Sequence, residues 1–485
     1  MKKFFGYLIA LTILAVPMVC LADQPSAPPS GGQPGGGSSS TASYSGATTI
    51  SSSTTLDSPT YTSSTGSQNA LLVSGGTSTI NSCSVTKTGD SSDENADFYG
   101  TNAGILVYNG ATLNINGGTI TTNAGHANAV FAYGTGVINI NDATVTTTGN
   151  NSGGIMVTGG GTLTASNLTV TTSGNSSASI RSDRGGGTLT ATGGTYTTNG
   201  VGSPTIYSTA NITVNNATLN STSSEGVVIE GGNSVTLNTV TLTDNNTSLN
   251  GNSETYKNIF IYQSMSGDAS EGSATFTAKD SNITTSNGDT IFVTNTTCTI
   301  NLTNNTIVNT SGDFLRIQTG KWGNSGSNGG KVTLNLDNQK VSGNIIVDSI
   351  STLAMSMTNG SVFEGAIDNA NQASSITLTL SSDSVVVLTA DSYVDSLTNA
   401  DSTNSNIYLN GHKLYVNGTE VSGNTGTYTD ASSTVTNTST TTTSSTLNNT
   451  TYFYILAGAL ALIAVIFMIN KNKKVNKTDD NKKAL

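Results

Sequence analysis

The sequence predicts an all-β fold, a parallel β-helix solenoid with three short strands per coil, on three observations. The first is a repeat. The apolar anchors Ile105, Val130, Ile155, Ile180 and Ile206 lie 25, 25, 25 and 26 residues apart. Leu71 begins the series, and Val227, Ile259, Ile291, Leu315 and Ile345 continue it more loosely. A fixed period of this size marks stacked structural units. The second is alternation with period two inside each short apolar run, which buries one side of a strand. The third is composition. Only 10% of the 485 residues are charged and 6% are aromatic, and there are 54 glycines. Ser, Thr, Asn and Gly dominate, and all are middling or poor helix formers. Glycine has no three-residue period, which excludes collagen, and 34% hydrophobic residues in recurrent clusters are too many for a disordered chain.

Each repeat holds three strands. The first carries the anchor, as in Gly154-Ile155-Met156-Val157. The second follows a glycine-rich turn, as in Leu113-Asn114-Ile115 and Ile138-Asn139-Ile140. The third reads Thr-apolar-Thr around Ile120, Val145, Val170, Tyr196, Leu219 and Val240. No helix-length apolar stripe lies between them. One coil cannot close a core by itself, so stacking at about 4.8 Å builds ladders of inward Ile, Val and Leu. About a dozen coils give a rod of about 60 Å by that spacing. Ile376 to Gly418 departs from the pattern, and the sequence places C-terminal coils or a cap over 376–428.

The flanks read as targeting and spacing segments. Lys2 and Lys3, an apolar run from Phe4 to Val19 and the small Ala22 predict a signal peptide over 1–22. Residues 23–43 form a Pro/Gly/Ser-rich linker before a β-helix over 44–375, and 429–451 form a Thr/Ser-rich stalk. Tyr452 to Ile469 is uncharged and apolar, long enough for one transmembrane helix, and the basic tail over 470–485 is expected in the cytoplasm. The chain is thus expected at the cell surface, crossing the membrane once with its N-terminal domain outside.

Charge and cysteine content narrow the function. Without Lys2, Lys3 and the tail's six lysines and two aspartates, 10 basic residues face 27 acidic ones. Such an exterior argues against nucleic acid as a partner. Past the leader, Cys83 and Cys298 stand alone, so no disulfide framework exists. His126 and His412 are the only histidines, too few for a His-rich metal site. Asp90, Asp93, Glu94 and Asp97 share one insertion, where Ca²⁺ is a weak possibility beside a solvated acidic loop, and no other cofactor is expected.

Strand parity singles out one face. With the anchors inward, the next residue in each first strand points out. That row is Leu106, Phe131, Met156, Arg181, Tyr207, Val228, Phe260, Phe292, Arg316 and Ile346. A second outward column includes Tyr133, Asp183, Glu230 and Tyr262. Outward positions on the other faces are Thr, Asn and Ser. The extra residues at Gly89–Gly100, Asp244–Lys257, Gln263–Gly272 and Thr319–Gly330 all flank this first face, and Trp322 is on the last. The sequence admits two arrangements: the insertions wall a groove, or they fold over the row and bury it. In the first, rings stack on sugar C–H faces and arginines grip hydroxyls or carboxylates. The candidate binding set is Phe131, Tyr133, Met156, Arg181, Asp183, Tyr207, Glu230, Phe260, Tyr262, Phe292, Arg316 and Trp322. Its expected partner is extracellular polysaccharide or a host or cell-surface glycan. Paired outward threonines on the third strand, such as Thr144/Thr146 and Thr169/Thr171, form a ladder that weakens after Thr218/Asn220.

The coils resemble those of right-handed parallel β-helix proteins of the pectin-lyase-like architecture. With signal, stalk and span, the whole chain resembles adhesin-like surface proteins. The handedness is what the resemblance implies. It also implies an alternative, a polysaccharide lyase or hydrolase acting on acidic glycans, for which Arg181, Asp183 and Arg184 form the densest charged cluster. A structural surface protein without a small ligand is the further alternative.

Overall fold

A computed structural model describes residues 42–249 and 254–429. The leader, the apolar stretch at 452–469 and the basic tail lie outside these residues, as do nearly all of the linker and stalk. Among the described residues no helix is long and apolar enough to cross a membrane.

The described residues form an all-β parallel solenoid of about 15 turns, more than the dozen expected. The extra turns come from the region expected to break the pattern. Ile376 and Leu378 pair in register with Leu353 and Met355, and Leu397 pairs with Leu378. Stacking therefore runs through this segment, and its coils are shorter, which hides the period. The antiparallel hairpin Leu414–Val416 and Thr419–Val421 ends the described stack. Its turn residues Asn417 and Gly418 both take the left-handed conformation that a tight hairpin requires.

The first face is a 12-stranded parallel sheet. Its register is that of the sequence repeat: Ile155 lies between Val130 and Ile180, and Met156 lies between Phe131 and Arg181. The second and third faces are joined in several coils by one 11-residue strand, as in Thr112–Thr122 and Val137–Thr147. The corner between them is turned by a single residue with φ near +50°. Asp142, Asn167, Asn216, Asn304 and Asn338 occupy this corner in successive stretches of the stack. Asn and Asp tolerate that region better than other side-chain-bearing residues, which accounts for their recurrence at this corner.

Inward ladders fill the centre. Ile105, Val107, Ile138, Ile140 and Val145 are fully buried in one continuous cluster with their counterparts above and below. Each such side chain contributes about 1.5–3 kcal/mol only when both neighbouring coils cover it. Cys83 and Cys298 belong to this core as free thiols, and burial pushes Cys83 up to about 11. A polar column also points inward at the third corner. Thr147 and Thr172 donate to the carbonyls of Ser152 and Ser177 at 2.6 and 2.5 Å. Lys87 and Asp244 stand at the equivalent corner positions and are fully buried. The outward threonine ladder thins past Thr218/Asn220: Thr241, Thr243, Thr284 and Thr306 continue it in register, while Asn282 and Val308 interrupt it.

Candidate functional site

The predicted row does point away from the core. Leu72, Leu106, Phe131 and Met156 form a cluster of their own, and Val228, Phe260, Tyr262 and Phe292 form a second. Neither is open to solvent. Phe131 and Met156 are fully buried, and Phe260, Tyr262 and Phe292 are nearly so. Of the two arrangements the sequence admitted, the insertions folding over the row is the one observed, and among the described residues no open groove runs along the apolar row. Two such runs of large apolar side chains are too much surface to leave wet, so the chain covers them itself.

Two covers do this. The first contains the one helix of the described residues, Asn95–Tyr99. Tyr99 packs edge-on against Tyr133 at 5.7 Å, and Tyr44 reaches Tyr108 at 4.5 Å. Gly100 ends the helix with φ +72° directly over the row. A Cβ there would lie 2.8 Å from Leu106 Cδ1 and 2.9 Å from Phe131 Cγ, so only glycine fits. Asn69 Nδ2 donates to the Gly100 carbonyl at 2.7 Å, and Thr158 Oγ1 donates to the Phe98 carbonyl at 2.6 Å. The second cover comprises the insertions at 263–272 and 319–330. Phe260 stacks on Tyr262 at 4.4 Å, and Trp322, partly exposed, lies 5.6 Å from Tyr262.

Between the clusters the row turns polar. Arg181 Nη2 is 3.1 Å from Asp183 Oδ2, and both are buried. Burial pushes Asp183 up to about 6 against the pull of Arg181. Glu230 accepts from Tyr207 Oη at 2.5 Å, from Tyr262 Oη at 3.0 Å and from Ser264 Oγ. Burial raises its pKa, and the three hydroxyl donors offset part of that rise. Arg184 ties the two covers together. Its guanidinium sits 3.6 Å over the Phe98 ring and its Nε donates to Asp268 at 2.7 Å. Further along, Arg316 is held by Asp289 at 2.6 Å and Asp313 at 2.5 Å.

Eleven of the twelve predicted residues therefore lie on one flank as the floor beneath a lid, with Tyr133, Tyr207 and Arg316 only partly covered, and Trp322 belongs to the lid itself. The acidic insertion does not converge on a point. Asp90 accepts from the Gly125 amide at 2.7 Å, and Asp97 is buried against His126 at 2.9 Å. That hydrogen bond raises the pKa of His126. Among the described residues no group of three or more His, Cys, Asp or Glu is placed to hold a metal ion.

Sequence reasoning missed two features. Lys257 lies beside Glu225 at 3.6 Å and over the Phe260 ring at 4.4 Å, and burial lowers its pKa. It follows a long insertion, where strand parity is not readable. The second is a cleft of about 310 Å³ between the insertions at 263–272 and 319–330. Gln263, Met265, Glu271, Asn295 and Lys331 are among its lining residues. No protein-family model, no curated protein and no solved structure matches the chain.

Proposed function

We propose that the chain is a cell-surface, adhesin-type rod that captures extracellular glycan on the flank where its insertions gather. That gathering is the observation that carries the reading. Three insertions of a regular solenoid rise on the first face, while the other two faces keep short turns and ladders of Thr, Asn and Ser. Repeat proteins place such insertions on the binding side. The acidic excess of the exterior disfavours anionic polymers and is compatible with a neutral polymer of hydroxyls. The sugar meets the covers and not the row, because the row is buried.

Retention of the full-length chain on a panel of insoluble polysaccharides tests this. Retention on at least one polymer, competed by its soluble oligomers, is expected. Absence of retention on every polymer sinks the proposal and leaves the second reading, a structural surface protein. That reading is favoured by the burial of the row, which accounts for the insertions without any ligand. The lyase reading gains nothing from this flank, since Arg181 is buried and paired with Asp183.

A further inference from the structure

The cleft between the two insertions stands apart from the buried row, and one of its residues is anomalous. Met265 has φ +66°, in the left-handed region. Every other non-glycine residue in that region is Ser, Asn, Asp, His or Thr. Asn, Asp, His and Ser have short or locally hydrogen-bonding side chains that ease the conformation, whereas the β-branched Thr239 and the long thioether of Met265 do not, and of these two only Met265 stands on a cleft. Met265 is also 46% exposed, one of three large hydrophobic residues so exposed among the described residues. A side chain in an unfavourable backbone state, held out to solvent where burial gives nothing back, is the mark of a functional constraint.

The surroundings show how it is held there. Ser264, one residue earlier, is buried, and its Oγ donates to the buried carboxylate of Glu230. Ser264 Oγ also accepts from the Ser266 amide at 3.0 Å, closing a turn around Met265. Asn295 Nδ2 donates to the Gln263 carbonyl at 2.7 Å from the neighbouring coil. The residues on both sides of Met265 are thus pinned to the rod while its side chain stays on the cleft. Gln263 is buried and lines the cleft, and its Oε1 has no partner. Glu271 and Lys331 line it too, and neither makes an ion pair or side-chain hydrogen bond with the described residues. One apolar side chain, one carboxylate and one ammonium line a space at the small end of ligand pockets, ~300–1,000 Å³.

From these observations we infer that this cleft is a subsite for one neutral pyranose unit of a glycan. The thioether of Met265 packs on the C–H face of the ring, while Glu271 accepts from and Lys331 donates to its hydroxyls. One negative and one positive lining group leave no net charge to select a uronate or an amino sugar. The inference rests on the glycan-capture reading and assigns it a location and a sugar class.

Isothermal titration calorimetry on the full-length chain tests it, with oligomers of glucose, galactose, mannose and N-acetylglucosamine and with oligogalacturonate as probes. At least one neutral oligomer is expected to bind. Met265→Gly is expected to weaken it by about tenfold or more and Lys331→Gln by about threefold or more. The melting temperature of Met265→Gly should stay the same or rise, because glycine takes the left-handed conformation freely. A loss of binding in a variant that is at least as stable cannot come from unfolding. Binding of a neutral oligomer that both substitutions leave unchanged overturns the cleft while the glycan reading stands. A preference for oligogalacturonate over every neutral oligomer overturns the sugar class. No binding of any probe, with no retention on the polysaccharide panel, overturns both.

Discussion

Asp244 and Gly100 are residues whose chemistry is decided by one wall of the rod. Asp244 is fully buried at a corner where most other coils carry threonine or serine, and burial pushes its pKa up to about 7. The unfolded chain releases that proton near pH 4, about the ordinary aspartate value. Between about pH 4 and 7 the folded state holds more protons than the unfolded one, so Asp244 disfavours folding increasingly as pH rises. Asp244→Asn should therefore stabilise the rod by about 4 kcal/mol at pH 8 and leave it unchanged at pH 4, read from urea unfolding at both pH values. An equal effect at both would show that the carboxyl ionises normally. Gly100→Ala acts on the cover. Its positive φ and the approach to Leu106 and Phe131 predict a loss of about 2 kcal/mol. Amide exchange in Val130–Tyr133 should quicken while the inner strands of the second face stay protected. The sequence shows Gly100 only as one of many glycines, since nothing local says that an aromatic ring lies beneath it.

At the level of elements, strand parity is readable and loop direction is not. The inward and outward columns of the first face follow from period two, because successive side chains of a strand must point to opposite sides. Leu163, sealed between Ile138 and Leu189, shows what an inward position is worth. Leu163→Ala should cost about 3 kcal/mol, measured as a lowered urea midpoint. The covers are held by fewer, polar contacts. Glu230→Leu removes the shared acceptor of Tyr207, Tyr262 and Ser264, and it leaves those buried hydroxyls without it. The insertion at 263–272 should then be cut by protease at least several-fold faster. Cleavage rates in Glu230→Gln should stay near wild type, because the amide oxygen still accepts. Equal rates in all three proteins would show that the insertion is held by other contacts.

Along the ladders of the solenoid each coil pairs only with its neighbours, so, apart from the covers that bridge several coils, stability is close to a sum over coils and interfaces. A coil removed in exact register should leave the stack intact. Leu353 pairs with Ile376, so deleting residues 353–375 lets Ile376 take the place of Leu353. The shortened chain should keep its β circular dichroism, and its length by small-angle scattering should fall by about 5 Å. Deleting half as many residues inverts no parity by itself, but it sets a second-face strand against a first-face strand, and the shorter variant should not fold.

The repeat, the parity and the inward ladders were legible in the residues alone, because they arise from local periodicity that every coil restates. So was the gathering of large side chains and insertions on one flank, since it follows from counting within coils. Beyond Ile376 the sequence left coils and a cap as alternatives, because a shorter period breaks the count, although the pairing there is regular. Whether the first face stands open was also beyond the sequence. The cover closes through Phe98, Arg184 and Asp268, and Arg184 and Asp268 are 84 residues apart along the chain. Contacts between insertions of different coils obey no repeat, so only the folded chain brings them together. That closure turned a row of sugar-binding candidates into the floor of a lid and left Met265, in the cleft beside it, facing solvent.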